Sequence, residues 1–185
     1  ESSKPFKTMV NGIFKTYVVT FPRSGHHLMV RGLQTLLQDE LVYSEGYKVS
    51  HNMDNCPFVN LQKAHDLDLT MQIDQNFRYI VQIRESEGAL RSWYRMLADQ
   101  GLKKGYESWR AEKIKFYSEW VDKWVNSDIQ HRLIINYDEF IVDKIRTIIR
   151  VADFISEVDY KHRIPYLGYW SSGENMHRRG YKHLI

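Results

Sequence analysis

The segment Phe21-Pro22-Arg23-Ser24-Gly25-His26-His27 gathers residue types suited to holding an anion. Gly25 permits close backbone approach, Ser24 offers a hydroxyl, and Arg23 offers a planar fork of donors that matches phosphate-like oxygens. It follows the β-branched and aromatic run Thr16 to Phe21 and precedes Leu28, Leu33, Leu36 and Leu37 at helical spacing, so the stretch reads as strand, tight loop, helix. In that context the N–H groups of the helix start and the helix dipole stabilise negative charge. Gly-Ser turns beside an arginine also occur in ordinary surface loops, so the loop alone fits either use. With one glycine and no Lys-Ser/Thr after it, it departs from G-x-x-x-x-G-K-S/T, which disfavours an ordinary ATP- or GTP-hydrolysing loop.

Other residues could act on the same ligand. In Lys63-Ala64-His65-Asp66, a histidine that titrates near neutrality can accept a proton, and Lys63 can stabilise charge on nearby oxygens. A lone histidine is more often structural. In RYIVQIRESEGALRSWYR an apolar run leads into Arg84, and Ser92 follows eight residues on, which brings both toward the ligand-binding edge of an α/β sheet. The alternative for Arg84 is a surface ion pair with Glu85 or Glu87. Near the end, Arg178-Arg179-Gly180 sets two guanidinium groups beside a permissive glycine, which suits phosphate capture and equally a solvated basic tail. His51, His131, His162, His177 and His183 lack ligand-like spacing with carboxylates or Cys56, so no metal site is expected and these histidines read as polar surface.

These residues need elements to position them. Phe58 to Gln62, Tyr79 to Ile83 and Leu133 to Asn136 are short apolar runs, read with Thr16 to Phe21 as parallel strands. Ala89, Leu90, Trp93 and Leu97 recur at helical spacing, as do Ile114, Tyr117, Val121, Trp124 and Val125, giving a crossover of two helices. Tyr137 leads into Asp138, read as the N-cap of one helix through Phe140, Ile141, Ile145, Ile148 and Ile149. The class is α/β, a three-layer sandwich around a central parallel sheet. The aromatics between Trp109 and Val125 keep helical spacing and read as core rather than a stacking platform for bases.

Taken in order, the motifs resemble those of the sulfotransferases that use 3′-phosphoadenylyl sulfate (PAPS). Pro22, Arg23, Ser24 and Gly25 are similar to the family's P-K-S-G-T-T-W loop, with Arg for Lys, His26 and His27 for the two Thr, and Leu28 for Trp. Arg84 and Ser92 resemble the R-D-P-x-D-V-x-x-S segment, Lys63 and His65 the K-x-H segment, Tyr137 the tyrosine of Y-E-D-L, and Arg178 to Gly180 the R-K-G loop. The resemblance spans residues 16 to 182. It implies a P-loop-like sulfotransferase fold and transfer of the PAPS sulfuryl group to a hydroxyl or amine of a small-molecule or glycan acceptor. It also implies that His65 is the base, that Arg23 and Lys63 assist transfer, that Ser24, Gly25, His26 and His27 hold the phosphosulfate, and that Tyr137 contacts adenine. Arg84, Ser92, Arg178, Arg179 and Gly180 then take the 3′-phosphate. His26 and His27 could serve through their side chains or only through their backbone N–H groups. The segment from Leu41 to Cys56 is expected to shape the acceptor pocket.

Composition bounds the remaining choices. The 185 residues predict one domain over 1–185, since that length fits a single core. Apolar residues make up 43% and charged residues 26%, with no run long enough to span a membrane, which excludes disordered, collagen-like and membrane-spanning classes. A net charge of +3 does not imply a nucleic-acid coat. The single cysteine cannot form an internal disulfide, no targeting signal is legible, and a cytoplasmic protein is expected. Two rivals share parts of this pattern: a nucleotide-dependent kinase on the same architecture, and a noncatalytic nucleotide- or RNA-binding module using the basic C-terminal stretch.

Overall fold

Residues 9–45 and 56–172 are described by the computed structural model. At the centre lies β3 (Thr16–Thr20), entirely buried, between β5 (Leu61–Ala64) and β6 (Arg78–Ile83). The two-residue β4 (Tyr43–Ser44) extends the sheet beyond β5, and β7 (Arg132–Asn136) lies outside β6, giving the order β4-β5-β3-β6-β7. All neighbours pair in parallel. Every strand therefore ends on the same edge, and each return crosses a face of the sheet, which is why helices cover both faces.

The pleat sorts side chains into two cores. Val18, Leu61, Ile80 and Ile135 face a layer built from α1 (His26–Leu37), α5 (Lys144–Ile155) and α6 (Ile164–Ser171). Tyr17, Val19, Tyr79 and Val81 face α2 (Ser86–Asp99) and α3 (Tyr106–Val121), the expected two-helix crossover. The aromatic stretch is packing: Trp109, Trp120 and Trp124 are buried in this second core, and Phe21 meets Tyr117 and Trp120 edge-on. Among the described residues, no helix is long and apolar enough to cross a membrane.

Three details correct the sequence reading. The strand expected over Phe58 to Gln62 begins at Leu61, because the Val59 N–H closes a turn onto the Cys56 carbonyl at 3.1 Å; Lys63 consequently lies inside the strand rather than after it. Asp138 is not the cap. Asn136 Oδ1 accepts the Asp138 N–H at 2.9 Å, so α4 (Tyr137–Val142) starts two residues earlier. The single helix expected through Ile149 breaks at Asp143, whose non-helical backbone ends α4 and whose carboxylate accepts the Arg146 N–H at 3.0 Å to start α5. An antiparallel hairpin of β1 (Met9–Val10) and β2 (Ile13–Phe14) also precedes the sheet. It turns at Asn11 and Gly12, with φ of 53° and 74°, values that an Asn-Gly pair accommodates.

Candidate active site

The C-terminal edge of the sheet collects one chemistry-bearing segment per strand: the 21–25 loop after β3, Glu45 after β4, His65 after β5, Arg84 after β6 and Tyr137 after β7. Open parallel sheets bind their ligands at this edge.

The loop has a demanding backbone. Arg23 and Gly25 take φ of 68° and 84°, and a Cβ on Gly25 would come within 2.7 Å of Tyr137 Cδ2, so that ring packs directly on the glycine. The Phe21 N–H donates to the Gln82 carbonyl at 3.0 Å and the Ser24 N–H to the Phe21 carbonyl at 3.3 Å, which fixes the turn. Ser24 is 1% exposed, and its Oγ has no protein partner among the described residues. The Met29 N–H donates to the Gly25 carbonyl at 3.2 Å, closing the first helical bond; the N–H groups of His26, His27 and Leu28 precede it in the turn that lacks intrahelical acceptors.

The structure adds contacts among the cationic candidates that spacing alone did not show. Ser92, expected beside Arg84, accepts from Arg23 Nε at 3.1 Å, and Arg23 Nη1 lies 4.0 Å from Met96 Sδ. The surface ion pair considered for Arg84 does not form. Glu85 caps α2 by accepting from the Glu87 and Gly88 N–H groups, while Glu87 is engaged by Arg91, Arg110 and Tyr106 and its carboxyl is held down to about 2, chiefly by Arg110. Arg84 instead stacks its guanidinium 4.5 Å from the centre of the Tyr137 ring, with Nε buried and unpartnered among the described residues. Tyr137 thus touches both the loop and Arg84.

His65 is held by its backbone and ring together. Its Nδ1 lies 2.8 Å from the Thr20 carbonyl, and a carbonyl only accepts, so Nδ1 carries the proton and Nε2 keeps the lone pair. The His65 carbonyl accepts from Trp120 Nε1 at 3.0 Å. Burial holds the imidazole below its ordinary pKa, the Thr20 bond opposes this, and the nearby Lys63 and His27 push it further down. Lys63, 6% exposed, is likewise lowered by burial and raised by Glu45.

The two loop histidines divide. His26 turns inward, with Nε2 2.6 Å from the Tyr43 hydroxyl and the buried Gln82 amide as its other polar neighbour; burial first and Lys63 next hold the ring well below the usual imidazole range, with Gln82 opposing them. His27 is exposed, and its Nδ1 lies 3.3 Å from Glu45 Oε1. Four contributors lay within quoted segments but were given no role by the sequence reading: Tyr43, Glu45, the buried Gln82 amide and Asp66. Asp66 was legible as part of the Lys63 to Asp66 motif; the edge strand carrying Tyr43 and Glu45 has only two paired residues and leaves no periodic signal. Arg178, Arg179 and Gly180 lie outside the described residues, as do residues 46–55 of the expected acceptor segment. Among the described residues, no group of three or more His, Cys, Asp or Glu is arranged to hold a metal ion.

No protein-family model matches the chain, and no curated protein matches it in sequence. Solved structures do match. Mouse sulfotransferase SULT7A1 complexed with PAP aligns with a TM-score of 0.61 at 10% identity, covering 96% of this chain and 69% of that one. The chain has a sulfotransferase fold. A sulfotransferase from Alicyclobacillus acidocaldarius aligns with a TM-score of 0.50 at 8% identity, covering 86% of this chain and 92% of its own. At such identities the sulfotransferase fold is preserved by hydrophobic pattern and strand order, which many sequences satisfy. The roles of the site residues must be argued from their own geometry.

Proposed function

We propose that this protein transfers the sulfuryl group of PAPS to a hydroxyl or amine of an acceptor, a carbohydrate or small-molecule alcohol, with His65 as general base. One observation supports this above the others. Ser24 Oγ and Arg84 Nε are buried without protein partners among the described residues, and the buried His26 ring and Gln82 amide have at best a poorly formed bond to each other. Buried polar groups are almost always paired, so such a group around one loop suits a polar ligand, and the donors among them suit the anionic oxygens of PAPS.

When bound, PAPS supplies a sulfuryl group that passes in line to the acceptor and leaves adenosine 3′,5′-bisphosphate (PAP) behind. Ser24 Oγ and the first-turn N–H groups of His26 and His27 hold oxygens at the loop, where Gly25 lets the backbone approach. Arg84, with Ser92, Arg178, Arg179 and Gly180, takes the 3′-phosphate, and the Tyr137 ring borders the nucleoside. The Lys63 ammonium and the Arg23 guanidinium stabilise negative charge as it develops on the leaving oxygens. His65 Nε2 accepts the acceptor's proton, and the Thr20 carbonyl holds the ring in the tautomer that can do so. Catalysis is then positioning and charge stabilisation, without a covalent enzyme intermediate. Cys56 is free, which fits the cytoplasmic location we infer.

The test is calorimetric titration with PAP beside ATP and 5′-AMP, without added metal. A clear preference for PAP is expected. No binding, or binding equal to that of 5′-AMP, would remove the 3′-phosphate roles of Arg84, Ser92 and Arg178 and favour the kinase reading.

A further inference from the structure

We propose that Glu45 is the resident counter-ion of this edge: in the free protein it pairs with His27 and offsets the charge of Lys63 abreast of it, and it yields Lys63 to the anionic donor, so it lowers donor affinity below what the loop alone would provide. The inference rests on the anion-binding reading of the loop. It makes Glu45 a residue that tunes the proposed reaction without touching the transferred group.

The placement follows from the sheet. Strand β4 pairs with β5 in the register Tyr43 to Leu61 and Ser44 to Gln62, so the next residues abreast are Glu45 and Lys63. Glu45 Oε1 lies 3.3 Å from His27 Nδ1 and accepts from the Tyr43 hydroxyl at 3.4 Å, and that same hydroxyl lies 2.6 Å from the buried His26 Nε2. The carboxylate therefore ties the β4 edge to the first turn of α1. The groups that share its surroundings are mostly cationic or basic: His27 and Arg31 from α1, Arg23 from the loop, Lys63 from β5 and His65 just after it. Glu45 raises the proton affinity of Lys63, His27 and His65 alike. A lysine only 6% exposed is costly to keep charged without a nearby anion. A phosphosulfate brings several anionic oxygens to the same edge and can replace the carboxylate, whereas a carboxylate that stays close repels them.

The Glu45→Gln variant keeps the size and hydrogen-bonding reach of the side chain and removes its charge. Calorimetric titration of PAP at neutral pH into wild type, Glu45→Gln, Lys63→Met and the double variant is expected to show binding about three- to tenfold tighter in Glu45→Gln, with the gain lost in the Lys63→Met background. Unchanged or weaker binding in Glu45→Gln, or a gain that persists without Lys63, would overturn the proposal; an unchanged melting temperature shows that the variant is folded. In parallel, NMR titration of the Lys63 ammonium in the free protein is expected to show a lower pKa in Glu45→Gln than in wild type, and an unchanged value would refute the charge offset. Should wild type bind no PAP, the donor reading and the exchange both fall, while the Lys63 titration still decides the charge offset on its own.

Discussion

Around His65 the polar side chains are tied to one another, whereas Ser24 and Arg84 keep buried polar atoms without a partner among the described residues. Asp66, 2% exposed, takes Lys123 Nζ at 2.7 Å, Trp124 Nε1 at 2.9 Å and the Met71 N–H at 2.8 Å, and Lys123 also donates to the Leu69 and Met71 carbonyls. His65 itself is pinned through Nδ1 and its carbonyl. Across the edge, Ser24 Oγ and Arg84 Nε lie buried and unpartnered among the described residues. A buried group left without a partner costs about 1 to 3 kcal/mol. The comparison teaches that the turn holding the base is finished by folding, which preorganises the lone pair of Nε2, while the loop region keeps part of its hydrogen-bonding capacity for a ligand.

The largest expected effect is on turnover. His65→Ala should slow single-turnover transfer by about 10² to 10⁴ while PAP affinity stays near that of wild type; near-normal turnover would assign the base elsewhere. Breaking the turn itself should act on stability instead. Asp66→Ala leaves Lys123 and Trp124 Nε1 without their carboxylate, and a loss of about 3 kcal/mol or more in denaturant unfolding is expected, the range for disrupting a buried ion pair. A loss below 1 kcal/mol would mean that the Lys123 network does not hold the turn. On the other side of the comparison, Arg84→Ala should leave unfolding unchanged or slightly improved, since it removes an unsatisfied buried Nε. It should weaken PAP binding by about 1.5 to 3 kcal/mol, the worth of a charge-assisted hydrogen bond. If 5′-AMP lost as much affinity as PAP, Arg84 would not be reading the 3′-phosphate.

What the sequence made legible follows the same division. The strand, loop and helix around Ser24 are contiguous, so their order and the close backbone approach at Gly25 could be read from neighbours in the chain. The partners that finish the His65 turn are not contiguous. Lys123 and Trp124 reach Asp66 from a π-helical turn at the end of α3, 57 and 58 residues away, and helical spacing marked Trp124 only as core. Trp120 does both tasks, filling the second core with its ring while its N–H holds the His65 carbonyl. Ser92 sits on α2 as expected and also accepts from Arg23, a contact that spacing could not show because it depends on the rotamer and loop φ of Arg23. Asn136 rather than Asp138 caps α4 because the Asn136 side chain, on the last residue of β7, already accepts the Asp138 N–H.

The smallest expected effect sharpens the comparison on the base side. Burial is the largest influence on His65, Lys63 and His27 add to it, and the Thr20 bond and Glu45 only partly offset them, so the folded pKa lies below the ordinary 6.5. A general base works unprotonated, so turnover should rise as pH climbs through that lowered value and level off by neutrality. The half-maximal point of the acid limb should therefore fall below 6.5. Stability carries the same sign. The folded protein binds fewer protons than the unfolded chain at His65 and at His26, which is held well below the usual range. Their contribution is therefore fully present above the unfolded value and is lost as pH falls from there toward the folded one. His26→Gln should flatten that loss of stability without moving the acid limb of turnover, because His26 is not among the groups that shift His65. An acid limb centred above 6.5 in wild type would contradict the buried base, and a limb that moved with His26→Gln would mean that the two imidazoles titrate as one unit.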